Sequence, residues 1–119
     1  MQYDVEFLQE AMNDLEELVL YLYGESPSAA LSVHDAIIER AEDLKLFPKR
    51  GKPVPDKKMS AAGYRMLGVK SHIMFYRVIG QMVYIYRVLH TATNYPMLYE
   101  KMIGAIDVDE LEQLNAKGE

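Results

Sequence analysis

Residues 71–90, SHIMFYRVIGQMVYIYRVLH, bring together Arg77, Arg87, His72, His90, Tyr76, Tyr84 and Tyr86 without a single carboxylate, in a chain whose formal net charge is -5. Arginine and tyrosine dominate binding hot spots, so such a segment can receive an acidic partner. The same residues also fit the outer face of an ordinary sheet. The charge around them is segregated. Eleven acids and one base, Arg40, lie between Met1 and Asp43, whereas eight bases and one acid, Asp56, lie between Lys45 and Lys70. Lys49, Arg50, Lys52, Lys57 and Lys58 crowd into PKRGKPVPDKK. Such a loop creates a local positive field inside an acidic protein and can steer an anionic partner. Metal chemistry has little to work with: there is no cysteine, and His34, His72 and His90 lack a paired spacing such as HxxxH. Disulfides, thiolate nucleophiles and zinc–thiolate sites are thereby removed, and no metal site or cofactor is expected.

The elements that must position these residues follow from periodicity. QYDVEF alternates Tyr3, Val5 and Phe7 with polar neighbours, the period of a half-buried strand. Leu8, Met12, Leu15, Val19 and Leu22 then recur at spacings of three and four opposite acids, an amphipathic helix that Gly24 can end in a left-handed conformation. Ser26 and Pro27 supply an N-cap and a first helical residue for a second helix, which carries Ala30, Val33, Ile37, Ala41 and Leu44 and stops by Phe47, ahead of Pro48. Residues 48–62 are expected to be a constrained basic loop. From Gly63 the period becomes two. YRMLGV, HIMFYRVI and MVYIYRVLH are three strands, and Gly80 with Gln81 can close a hairpin between the last two.

The order β-α-α-β-β-β predicts the α+β class: an antiparallel β-sheet with the two N-terminal helices packed on one face. Along the last two strands neither side is purely polar, so the second face needs a cover, from a terminus, a second subunit or a partner. Residues 1–103 are expected to form a single domain. Residues 104–119 form an acidic extension, in which Asp107, Leu111 and Leu114 have the spacing of a short capped helix. No apolar run approaches the ~20 residues of a membrane span, and the acidic N-terminus lacks a signal peptide's basic start, so a cytoplasmic protein without membrane contact is expected.

The element order, the FP closing the second helix, the GYR opening the second strand, and above all SHIMFYRV and YRVLH resemble the ParE branch of the RelE/ParE superfamily of bacterial toxins. The resemblance spans roughly residues 3–99. LHTATNYP resembles the end of that branch's last strand, with Thr93 and Asn94 where an Arg-Asp pair commonly stands. The resemblance implies a toxin of a type II toxin-antitoxin pair, neutralised by a small cognate antitoxin. ParE-like members act on DNA gyrase without known catalysis, whereas RelE- and YoeB-like members cut mRNA on the ribosome.

Metal-free RNA cleavage needs a base for the 2′-hydroxyl, a cation for the phosphorane and an acid for the leaving oxygen. Arg65, His90 and Tyr95 are the candidates, with Arg77, Arg87 and Tyr99 further afield. By the same resemblance, Val54 stands where YoeB-like members carry a glutamate, and Ile73 where nucleases carry a phosphate-stabilising arginine. A sequence pI near 5.2 also sits poorly with ribosome and mRNA binding, where phosphate contacts dominate affinity. The balance favours the gyrase-directed toxin over the ribosome-dependent endonuclease. A third reading is an inactive homologue kept for antitoxin binding and autoregulation. Arg65, Arg77, Tyr84, Tyr86 and Arg87 are the expected antitoxin or partner surface, which in the free protein could instead support a homodimer. His72 is read as structural.

Overall fold

The computed structural model describes residues 2–104. It contains β1 (Asp4–Phe7), α1 (Gln9–Glu25), α2 (Pro27–Asp43), β2 (Lys52–Pro53), α3 (Lys57–Ala61), β3 (Arg65–Val69), β4 (His72–Ile79), β5 (Met82–His90) and α4 (Tyr95–Gly104). The strands form one sheet in the order β1-β5-β4-β3-β2. It is antiparallel except for β1, which runs parallel to β5 with Val5 opposite Val83 and Phe7 opposite Ile85.

The helical hairpin turns at Ser26, whose extended backbone breaks the helix and whose hydroxyl accepts from the Ala29 amide at 3.3 Å. Gly24 does not end α1: it is helical, and the left-handed break expected there is replaced by the extended Ser26. Both strand hairpins have two-residue loops with a positive φ at the first position, Lys70 at 54° and Gly80 at 60°. Glycine adopts that geometry freely, whereas lysine does so under mild strain.

One apolar cluster lies between the sheet and the α1–α2 hairpin, built on Ala11, Ile37, Ala41, Leu44, Met74, Tyr76, Val83, Ile85 and Val88. The other face has its own cluster, and its cover is α3 and α4: Met59, Leu98 and Met102 pack with Val54, Tyr64 and Phe75. The basic segment 48–62 is thus not a plain loop, because Asp56 accepts from the Met59 amide at 3.0 Å and caps the one-and-a-half turns of α3. The C-terminal part of the cover begins at Tyr95; the helix expected around Asp107 to Leu114 lies outside the described residues.

Strict alternation fails in β5. Tyr76 pairs with Ile85 but Phe75 with Arg87, so Tyr86 is an extra residue. A bulge of this kind re-aims side chains. Val83, Ile85 and Val88 therefore share the helix side, while Tyr86 and Leu89 pack on the other.

Candidate functional site

The residues singled out from the sequence fall into four separate settings. Arg77, on β4, is the only charged side chain in the described residues that is buried, at 7% exposure. Its guanidinium lies 5.1 Å from the Tyr64 ring centroid and 5.7 Å from that of Tyr86, and it donates to the Tyr86 hydroxyl at 3.2 Å. The two rings meet edge to face at 5.0 Å. Tyr84 is the cross-strand neighbour of Arg77, so the register brings Arg77, Tyr84 and Tyr86 together. Among the described residues no carboxylate pairs with Arg77. A cation held over two π faces with donors to spare can fork onto a carboxylate. Tyr64, which completes this box, was not singled out; a tyrosine just before a strand carries no local signal of it.

Arg87 has a different setting. β1 ends opposite Ile85, leaving the outer edge of β5 open beyond it. Asp14 of α1 fills that edge: its carboxylate accepts from Arg87 Nε at 2.7 Å, from Arg87 Nη2 at 3.0 Å and from the Val88 amide at 3.0 Å. The hydrogen bonds to Asp14 hold the Arg87 guanidinium above its usual pKa. Its donors are turned to α1, away from Arg77.

Arg65 fastens the basic segment to the sheet. It donates to the Gly51 carbonyl at 3.1 Å and the Lys49 carbonyl at 3.3 Å, while the Gly51 amide donates to the Tyr76 hydroxyl at 2.8 Å. Burial raises the Tyr76 phenol, against the opposing pull of Gly51 and Arg65. A Cβ on Gly51 would meet the Met66 carbonyl at 2.6 Å, so only glycine fits. Of the other cations, Arg50 pairs with Asp43, and Lys57 and Lys58 line a hollow with Asp56, Pro96 and Tyr99.

His90 and Tyr95 meet at the end of β5. The Tyr95 hydroxyl donates to the His90 carbonyl, and the Ala92 amide donates to His90 Nδ1 at 3.0 Å. Neutral His90 therefore carries its proton on Nε2. Its ring stands edge to face with His72 at 5.4 Å, and burial, then the neighbouring His90, lowers the His72 pKa. Arg65 does not join them. It is level with Tyr76, whereas His90 is level with His72. Four residues of strand rise and two interstrand spacings put about 16 Å between the Arg65 and His90 backbones. Val54, at 1% exposure, lies in the second core cluster, and Ile73 packs against it. Among the described residues no three His, Asp or Glu side chains gather around a metal-sized site, and no helix is long and apolar enough to cross a membrane.

The family model of the ParE toxin of the type II toxin-antitoxin system, parDE, matches residues 5–95. Among solved structures, the chain is similar to the chromosomal ParDE TA system from P. aeruginosa, with a TM-score of 0.61 and 21% identity over 75% of this chain and 96% of that one. It is also similar to the toxin-antitoxin complex RelBE2 from Mycobacterium tuberculosis, with a TM-score of 0.56 and 26% identity over 76% of this chain and 99% of that one. No curated protein matches the chain. The fold, the helical hairpin over one sheet face and the family match over residues 5–95 agree: this chain belongs to the ParE toxin family of type II toxin-antitoxin systems, within the RelE/ParE superfamily.

Proposed function

We propose that this toxin arrests growth by protein contact with DNA gyrase, and that a small acidic antitoxin holds it inactive. The observation that carries the first half is the state of the would-be nuclease site. Val54 is a core residue and Ile73 packs half-buried against that core, and neither an isopropyl nor a sec-butyl group can move a proton or bind a phosphate. Arg65, one candidate for phosphate stabilisation, is spent on two loop carbonyls far along the sheet from His90, and Arg87, nearer to His90 on β5, is spent on Asp14. General acid-base chemistry needs its groups within hydrogen-bond reach of one reacting centre. A non-catalytic mode of action fits these positions better.

The antitoxin half rests on Arg77. A buried guanidinium with two aromatic faces and no carboxylate among the described residues is matched by an acidic side chain on an incoming segment. Both similar structures are toxin-antitoxin systems or complexes, which supports a cognate partner here. Arg77→Lys keeps the charge and loses the fork, and it should weaken antitoxin binding tenfold or more while the fold survives; unchanged affinity would remove Arg77 from the interface.

The second reading, a ribosome-dependent endonuclease with a rearranged site, draws on one contact, that of Tyr95 with His90. Pulse-labelling of cells after induction separates the two. Early loss of DNA synthesis supports gyrase; early loss of protein synthesis, abolished by His90→Ala, supports the nuclease. Normal growth with retained antitoxin binding would leave the inactive homologue.

A further inference from the structure

Arg77 is a charge that the described fold buries without supplying a carboxylate to meet it. Its guanidinium has five N–H donors, more than the Tyr86 hydroxyl can take up, and a buried cation is costly until an anion pairs with it. Acids are scarce nearby. From Lys45 to Tyr99 the chain has ten lysines and arginines and one acid, Asp56, which caps α3. Glu100, the one acid of α4, lines the hollow beside Lys57 and Lys58. The next carboxylates come just after α4: residues 105–119 hold Asp107, Asp109, Glu110, Glu112 and Glu119 against Lys117.

Where α4 ends decides their reach. The helix covers the sheet face that carries the box. Tyr99 stands on Phe75 with ring centroids 6.1 Å apart, and Leu98 and Met102 share an apolar cluster with Tyr64, whose ring the Arg77 guanidinium covers at 5.1 Å. Arg77 is two residues along β4 from Phe75, about 7 Å, and Gly104 is five helical residues beyond Tyr99, about 7.5 Å. Three to eight extended residues after Gly104 span about 10 to 27 Å, which brings Asp107, Asp109, Glu110 and Glu112 within range.

We infer that the acidic C-terminal segment, residues 105–119, supplies the counter-ion of Arg77 in the antitoxin-free chain, one carboxylate between Asp107 and Glu112 seating on the guanidinium in the Tyr64–Tyr86 box. A carboxylate accepts two parallel bonds from a guanidinium, the strongest pairing either can make. The tether does the rest. At this length it holds the segment at an effective concentration of about 1 mM, so a contact with a dissociation constant of about 0.1 mM is closed about ten to one. The family match ends at residue 95, so the contact lies outside the shared fold. One consequence rests on the reading that the antitoxin binds at Arg77: its acidic group must displace the segment, which lowers its apparent affinity about tenfold.

The chain has no cysteine, so a single nitroxide can be placed at Gln113→Cys on the full-length protein and read by paramagnetic broadening of amide NMR signals. Tyr64, Arg77 and Tyr86 should lose at least half their intensity at any protein concentration, while α2, on the opposite sheet face, keeps its own. Neutralising the segment with Asp107→Asn, Asp109→Asn, Glu110→Gln and Glu112→Gln together alters no residue of the sheet and should abolish the effect. A labelled peptide of residues 105–119, added in trans and followed by fluorescence anisotropy, should bind the neutralised full-length chain about tenfold tighter than the wild type. No broadening at the box, broadening that survives neutralisation, or equal peptide affinity for the two chains overturns the inference. Arg77→Lys judges the antitoxin reading separately. Unchanged antitoxin affinity in that variant, with broadening in the wild type, would assign the box to this segment alone, whereas weakened antitoxin binding without broadening would overturn only the present inference.

Discussion

Removing the Asp14 carboxylate offers a sharp test of how this sheet is held together. Asp14 is only 10% exposed in its side chain and accepts three charge-assisted hydrogen bonds, two from Arg87 and one from the Val88 amide. Each such bond is worth about 1.5–3 kcal/mol, but bonds to one carboxylate do not add. Truncation also strands the guanidinium and an edge amide, a cost of about 3–5 kcal/mol at a fully buried site. Arg87 is 24% exposed, and water can reach it, so Asp14→Ala should cost about 2–4 kcal/mol. For a domain of this size that lowers the melting temperature by on the order of 10 °C. Asp14→Asn keeps one acceptor and should cost about half as much. Glu10 provides the control: it sits 3.6 Å from the same guanidinium but is 73% exposed, so Glu10→Gln should change stability by less than about 0.5 kcal/mol. Urea unfolding followed by circular dichroism measures all three. If Asp14→Ala and Glu10→Gln were equally mild, the idea that Asp14 substitutes for a missing strand would be wrong.

Gly51→Ala places a methyl against the Met66 carbonyl and the Tyr76 hydroxyl, so unfolding experiments should find a loss of about 1–3 kcal/mol and a loosened basic segment in hydrogen exchange. Lys70→Gly relieves a positive φ at the expense of an exposed bond to Ser32, and should stabilise by up to about 1 kcal/mol; a clear destabilisation would mean the loop geometry is different. His72 titrates below its ordinary 6.5 because it is buried and next to His90. The unfolded chain then takes up the proton first, so this group's contribution is complete above about 6.5 and is lost as the pH falls through the folded-state value. Stability measured against pH should fall less steeply on the acid side in His72→Gln; identical slopes would assign the effect to other groups.

The sequence carried the helices and the two strand hairpins because each rests on a local rule: Ser26-Pro27 for a helix start, Gly80-Gln81 for a tight turn, and a clean change of period at Gly63. What it did not carry needs contacts between distant residues. Asp14 and Arg87 are 73 positions apart, and nothing near either one marks the open edge that joins them. The bulge at Tyr86 leaves the composition of β5 unchanged while shifting Val88 to the helix side. The α4 helix was more accessible than it looked. Pro96 in the first turn, with Leu98 and Met102 four apart, is a helix signal that a strand-end reading of LHTATNYP obscured. The candidate site was legible only in part. Arg77, Tyr84 and Tyr86 were named together and are together, whereas Arg65 and Arg87 share their residue type but are engaged elsewhere, at the basic segment and at α1.

The central claim, contact with gyrase rather than cleavage of RNA, is tested most directly by adding the purified full-length toxin to DNA gyrase and following supercoiling of relaxed plasmid. Translating ribosomes carrying a labelled mRNA, treated in parallel, provide the counter-assay. Inhibited supercoiling with intact mRNA is the predicted result. Unimpaired supercoiling together with mRNA cut on the ribosome would contradict it and return His90 and Tyr95 to the centre of the mechanism.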